Sequence, residues 1–289
     1  MLTDAHCHPA ALAELFPGAE AERRRLGVGC AASATSREEF EFHRELAQKA
    51  AEEGAAPVLR CFAVHPQLPA LWAAEGAAGE KPPGRLTEGG AKGTAAERLR
   101  GLAEYLETSA AEGRLDAVGE TGFDLYNSAF RETEALQEKL FQVHLETARR
   151  RDLPLVLHVR RAMHKVFAYG PELRKISAVI FHSWPGTLGE GEALLRRGIN
   201  VFFSFGTPLL LNHKEARRCC ASLPAEHLLL ETDAPWQPLR GKAFSAWADL
   251  PAILREAASL RREAGKPGAD PEELEQIVEA NFFRAFAPG

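Results

Sequence analysis

The sequence contains no run of about 18 apolar residues, which argues against a membrane-spanning helix. Its start lacks a basic segment followed by an apolar one, so no secretory signal is expected. Cysteine is scarce: Cys7, Cys30, Cys61, Cys219 and Cys220 are the only five. They are odd in number and have no framework spacing, so a disulfide scaffold is not expected and a reducing cytoplasm fits. The adjacent Cys219 and Cys220, in a basic helical stretch, read as structural thiols. Positive charge is not in excess, since the net charge is −5. This argues against a broad, non-specific grip on duplex DNA. It does not exclude a nucleic-acid substrate, because bound divalent ions can reverse the field of a site. The triplets Arg23-Arg24-Arg25 and Arg149-Arg150-Arg151 read as solvated faces or helix C-termini. Internal repeats and domain linkers are absent as well.

What is present is ordinary globular material: 289 residues, 45% hydrophobic and 26% charged. Eight short β-rich runs recur, at 2–8, 27–34, 58–64, 116–122, 154–159, 177–183, 199–205 and 227–233. Several are almost wholly apolar, as strands buried on both faces are. Helix grammar fills the intervals. A Ser36–Glu39 capping-box pattern opens one helix, which ends on Gly54. In another, Leu136, Leu140, Val143 and Thr147 define a buried stripe. Asp270-Pro271-Glu272-Glu273 opens a final helix reaching about Phe286. Alternation of eight strands with helices predicts an α/β fold, a closed (β/α)8 TIM barrel forming a single domain over 1–289. An open doubly wound sheet is the alternative, weakened because no Gly-rich dinucleotide fingerprint follows the first strand. The Gly-, Ala-, Pro- and charge-rich segment 73–96 reads as a surface insertion.

Metal-capable side chains collect at the carboxyl ends of these strands. His6 and His8 end the first, Glu120 the fourth, His158 the fifth, His182 the sixth and Asp233 the eighth. In a barrel that is the face where active sites form. Asp4, His6 and His8 alternate with Ala5 and Cys7; side chains at i and i+2 on a strand point the same way, roughly 6–7 Å apart. His6 and His8 would then close on one ion while Cys7 faces the helices. Imidazoles suit Zn, Mn, Fe, Co or Ni, and Glu120 and Asp233 add hard oxygen. Four histidines and two carboxylates are too many for one catalytic ion with an open position, and suit two ions bridged by Glu120. The expected cofactor is therefore two divalent ions drawn from Zn, Mg, Mn, Co and Ni. Each residue alone also has a structural explanation, and for His43, His144, His164, His213 and His227, in or near helices, that explanation is preferred.

The motifs DAHCH, AVHP, VGETGFDLY, LPLVLHVR-A, FHSW-G, LLLETDAPW and NFFRAF, in this order along the chain, resemble the TatD-related metal-dependent deoxyribonucleases of the amidohydrolase-type barrel superfamily. The resemblance implies that His6, His8, Glu120 and Asp233 hold one ion and that Glu120, His158 and His182 hold the second. It also places His65 and Arg160 near the scissile group. Arg240-Gly241-Lys242 is kept, but Phe244 stands where the family commonly has Asn, Ser183-Trp184 replaces a usual Cys-Phe, and 73–96 is longer than usual. These departures bear on substrate preference, since rim loops select what enters.

The resemblance implies a deoxyribonuclease removing nucleotides 3′ to 5′ from single-stranded DNA ends. The expected chemistry is in-line attack on phosphorus by hydroxide formed from water shared between two ions. Asp233 and Glu120 are the catalytic candidates, Asp233 also accepting the water's proton. Arg160 and Lys242 would hold phosphate oxygens, with His65 as a further substrate contact. Glu231 is a candidate to orient a ligand histidine, and a structural carboxylate is an equal alternative. For Trp184 and Trp236, packing is favoured over base stacking. Two other functions compete: hydrolysis of another ester or amide, such as an aminoacyl ester, at the same dinuclear site, and a non-enzymatic metal-binding interaction protein. No membrane association and no stable protein partner are expected.

Overall fold

A computed structural model describes residues 1–78 and 93–286, with the side chains of 75–78 left aside. Eight parallel strands alternate with helices in sequence order: β1 Thr3–Cys7, β2 Gly29–Ala34, β3 Val58–Phe62, β4 Ala117–Asp124, β5 Leu155–Arg160, β6 Val179–Phe181, β7 Val201–Phe205 and β8 Leu228–Leu230. Each pairs with the next. The barrel closes beyond β8, where Asp233 N donates to His6 O at 2.9 Å and His8 N to Ala234 O at 2.7 Å. This is the (β/α)8 architecture expected from the alternation.

Strand side chains divide into two buried populations, as burial of both faces requires. Cys30, Ala32, Phe62, Val118, Leu155, Leu157, Val179, Phe181, Val201 and Phe203 pack outward in the layer shared with the helices. Ala5, Ala31, Cys61, Ala117, Val156, Ala178, Ile180, Phe202 and Leu229 fill the barrel interior together with Phe282 and Phe286 of the final helix, Pro271–Phe286. That helix thus contributes to the interior packing.

Two strands break alternation. The β1–β2 register shifts between Asp4 and Cys7, and the β4–β5 register between Gly119 and Thr121. Each is a β-bulge, an extra residue that re-aims side chains. In β1, Asp4 pairs with Cys30 on the outward phase and binds Thr232, while Ala5 joins the interior and His6 reaches Ser33. The expected common face for Asp4, His6 and His8 is therefore corrected: the bulge separates Asp4 from the histidines. In β4, Glu120 is the extra residue. The strand runs on to Asp124, so Glu120 lies within it and not at its end. Gly122 opposes His158 at φ 131°, where a Cβ would sit 2.2 Å from the His158 carbonyl oxygen. Only glycine permits that approach.

Helix detail also differs from expectation. On the helix Glu134–Arg151, Leu136 and Val143 are exposed, and Gln137, Leu140, Phe141, His144, Leu145, Thr147 and Ala148 are buried. The buried face is rotated from the expected stripe because polar Gln137 and His144 lie on it with their hydrogen bonds satisfied: Gln137 holds Asp124 N and O, and His144 accepts from Val64 N. Ser36 caps Arg37–Glu52, but Glu39 reaches back to Thr35 N at 2.7 Å and not to Ser36. Of the expected insertion 73–96, residues up to Ala78 extend the helix Leu68–Ala78 and Thr94 caps the helix Ala95–Ala111; 79–92 lie outside the described residues.

Candidate metal centre

The carboxyl ends of the strands surround a cavity of about 850 Å³ lined by His8, His65, Glu120, His158, His182 and Asp233 among others. His6 lies beneath, fully buried. Glu120 occupies the middle. Its Oε2 lies 3.3 Å from His6 Nε2 and 3.9 Å from His8 Nε2. Its Oε1 lies 2.7 Å from His158 Nδ1, 3.5 Å from His65 Nε2 and 3.6 Å from His182 Nε2. One carboxylate thus presents one oxygen to each of two histidine groups. Asp233 Oδ1 stands 3.7 Å from His6 Nε2 and 3.5 Å from His8 Nε2. Its backbone is left-handed at φ 51°, and Gln237 Nε2 donates to its Oδ2 at 2.9 Å. Three groups have donor atoms within 4.8 Å of one another: His6, His8 and Asp233; His6, Glu120 and His182; and His65, Glu120 and His158.

Outer partners decide which nitrogen of each ring faces inward. Ser33 Oγ lies 3.2 Å from His6 Nδ1. Glu231 Oε1 lies 3.0 Å from His182 Nδ1 and accepts from Ser183 N at 2.8 Å. Asp124 Oδ2 lies 3.1 Å from His158 Nε2 and accepts from Gln67 Nε2 at 2.7 Å. His6 Nε2, His182 Nε2 and His158 Nδ1 are left for the centre, the arrangement that outer carboxylates and hydroxyls impose on metal-binding imidazoles. His65 is different. Its Nδ1 accepts from Gln67 N at 3.2 Å, so the neutral ring carries its proton on Nε2 and is a donor toward Glu120. Burial lowers its pKa, against the pull of Glu120.

The electrostatics match a cation-binding cluster. Burial would raise Glu120, but His65, His6, His182 and His158 together hold its carboxyl well below the ordinary range. Burial likewise opposes charge on His158 and His182. Asp124 and Glu120 nevertheless lift His158 to about 9, and Glu231, Asp233 and Glu120 lift His182 to about 10. His6 is pushed down, first by burial and then by His182. Its Nε2 is fully buried without a hydrogen-bond partner. A buried ring nitrogen without a partner is costly in a protein interior, and a bound cation would supply one. Mixed imidazole and carboxylate donors fit a divalent transition metal.

All six expected metal-capable residues converge here, with His65 beside them. Arg160 lines the cavity, as do Trp184 and Trp236; Trp184 is buried against Phe181 and Phe203, whereas Trp236 is 41% exposed. Lys242 does not line the cavity; its ammonium is paired with Asp249. Phe244, at the position of the expected Asn, stacks on Phe16 at 5.9 Å. Sequence reasoning passed over Asp124, although GETGFD contains it, and the glycines of that motif carried the signal of a bulge. It also set aside His213, which is exposed on the cavity wall. Among the described residues no helix is long and apolar enough to cross a membrane.

A (β/α)8 barrel with a histidine–carboxylate cluster at its carboxyl face defines the class. The profile of the TatD related DNase family matches residues 3–287, and the chain belongs to that family. It is 33% identical over 200 residues to a protein of Cronobacter sakazakii named 3′-5′ ssDNA/RNA exonuclease TatD, covering 66% of this chain and 70% of that protein. It is 34% identical over 136 residues to a Mycoplasma genitalium protein named as an uncharacterized metal-dependent hydrolase, covering 44% of this chain and 51% of that one. The crystal structure of a TatD homologue from Escherichia coli K12 superposes with a TM-score of 0.74 at 23% identity, covering 99% of this chain and 97% of that one.

Proposed function

We propose that this chain is a divalent-metal-dependent hydrolase that removes nucleotides, 3′ to 5′, from the ends of single-stranded nucleic acid. The observation that carries this reading is Glu120, buried with one oxygen toward His6 and His8 and the other toward His158 and His182. His6, His8, Glu120 and Asp233 would hold one ion, and Glu120, His158 and His182 a second. Bound divalent ions supply Lewis acidity toward phosphoryl oxygen and acidify water near neutral pH. The protein's own groups do the rest. Asp233, held by Gln237, would accept a proton from the attacking water. His65, fixed as an Nε2–H donor, would hydrogen-bond a phosphoryl oxygen. Arg160, two residues beyond His158 on β5, would hold another. The exposed ring of Trp236 offers a stacking face for a base. The relatives named as exonucleases support the substrate class.

Metal-reconstituted protein offered labelled single-stranded DNA, duplex DNA, RNA, bis-p-nitrophenyl phosphate and ester or amide substrates tests this directly. Progressive shortening of the single strands from the 3′ end is expected. Glu120→Ala and Asp233→Ala should each abolish turnover while the circular dichroism spectrum stays unchanged. Hydrolysis of esters or amides with none of any phosphodiester would overturn the reading.

A further inference from the structure

Tyr126, in the turn after β4, carries two guanidinium groups on one ring: Arg160 lies 3.7 Å and Arg161 4.7 Å from its centroid. The ring is 42% exposed, and both arginines are exposed and line the cavity. Arg161 leaves β5 with a left-handed backbone, φ 57°, and its Nη1 donates to Tyr126 O at 3.1 Å. The turn after β4 and the end of β5 are therefore fastened through this side chain. Among the described residues neither guanidinium is in an ion pair. Stacking fixes the plane of a guanidinium while leaving most of its in-plane N–H donors unused. A planar, oriented, unpaired fork is suited to a phosphate group, which it meets with two parallel hydrogen bonds. Pre-ordering by the ring also lowers the conformational entropy lost on binding.

We propose that Arg161, held on Tyr126, binds the phosphate next to the one being cleaved, so that the cavity selects polynucleotide strands over single nucleotides. The proposal rests on the phosphodiesterase reading above. Arg160 serves the cleaved group from the same ring, and Arg161, one residue further along the chain, lines the same cavity.

The test uses the magnesium-loaded full chain and fluorescence polarisation of labelled thymidylates whose phosphorothioate linkages slow cleavage. A short strand is compared with a single nucleotide. Wild type is expected to prefer the strand by about tenfold, the scale of one charged hydrogen-bonding contact. Arg161→Ala should remove most of that preference and make the slope of log affinity against log salt shallower by about 0.7, one phosphate contact. Tyr126→Ala should weaken the preference and Tyr126→Phe retain it, since the ring and not the hydroxyl carries the stack. An unchanged preference and salt slope in a folded Arg161→Ala protein would overturn the proposal, as would a wild type that shows no preference. Strand binding with this pattern but no cleavage defeats the hydrolase reading alone. Cleavage with an unaltered preference in Arg161→Ala defeats this proposal alone.

Discussion

Gly122→Ala is the sharpest test of how the centre is built. At φ 131° an alanine is in a region that L-residues rarely enter, and its Cβ would stand 2.2 Å from the His158 carbonyl oxygen. The forced backbone costs about 1–3 kcal/mol. Crowding against a strand adds about 1–3 kcal/mol. The combined loss is about 2–6 kcal/mol, a large share of the roughly 5–15 kcal/mol by which folded proteins are stable. Gly27→Ala is the control: φ is 64°, but nothing lies within 4 Å of the added methyl. It should cost only about 1–2 kcal/mol. Thermal melting of both metal-free variants separates them, at about 2–4 °C per kcal/mol. The strain at Gly122 can relax only by moving β4 from β5, which pulls apart the 2.7 Å contact of Glu120 and His158. Calorimetric titration with manganese should therefore show weaker binding by Gly122→Ala and unchanged binding by Gly27→Ala. Equal melting temperatures and equal metal affinity would refute the argument.

Asp124→Ala, which releases His158 Nε2, should lower metal affinity by about 10–100-fold while leaving His6, His8 and Asp233 in place; elemental analysis of dialysed protein should show metal lost relative to wild type. In the metal-free protein, folded-state pKa values of about 9 for His158 and about 10 for His182 lie above the unfolded value of 6.5. The stabilisation they bring is complete below 6.5 and is lost as pH rises toward 9–10, so the metal-free melting temperature should fall over that window. A flat profile between those limits would contradict the clustering of charges. Leu140→Ala, buried, should cost about 2–5 kcal/mol in urea denaturation. Val143→Ala, on the exposed side of the same helix, should change stability by no more than about 0.5 kcal/mol.

The barrel was legible because strands buried on both faces leave apolar runs, VIF in β6 and LLL in β8, that polar intervals set off. Convergence of the histidines and carboxylates followed in large part from topology, since parallel strands deliver their carboxyl ends to one rim, although Glu120 and His158 reach the centre from within their strands. The bulges were not read, because strict alternation was assumed through DAHCH and Glu120 was placed at the end of its strand; glycines inside a strand pattern, at 119 and 122, were the available warning. The face of Glu134–Arg151 was read correctly at Leu140 and Thr147 but not at Leu136 and Val143, because Gln137 and His144, polar in sequence, are buried by what they bond. Lys242 illustrates a limit of motif reading: its sequence position says nothing of Asp249, seven residues on, which claims its charge. Asp124 and Glu231 take on meaning only when folding sets them behind His158 and His182.

The extra residues in β1 and β4 carry a practical warning for engineering. Regularising these two segments toward an ideal, evenly pleated barrel would be an obvious route to a sturdier scaffold. It would swing His6 and Glu120 out of the congregation of imidazoles and leave a well-made but inert container. Stabilisation campaigns on this chain should spare the imperfections and look to the outer helices.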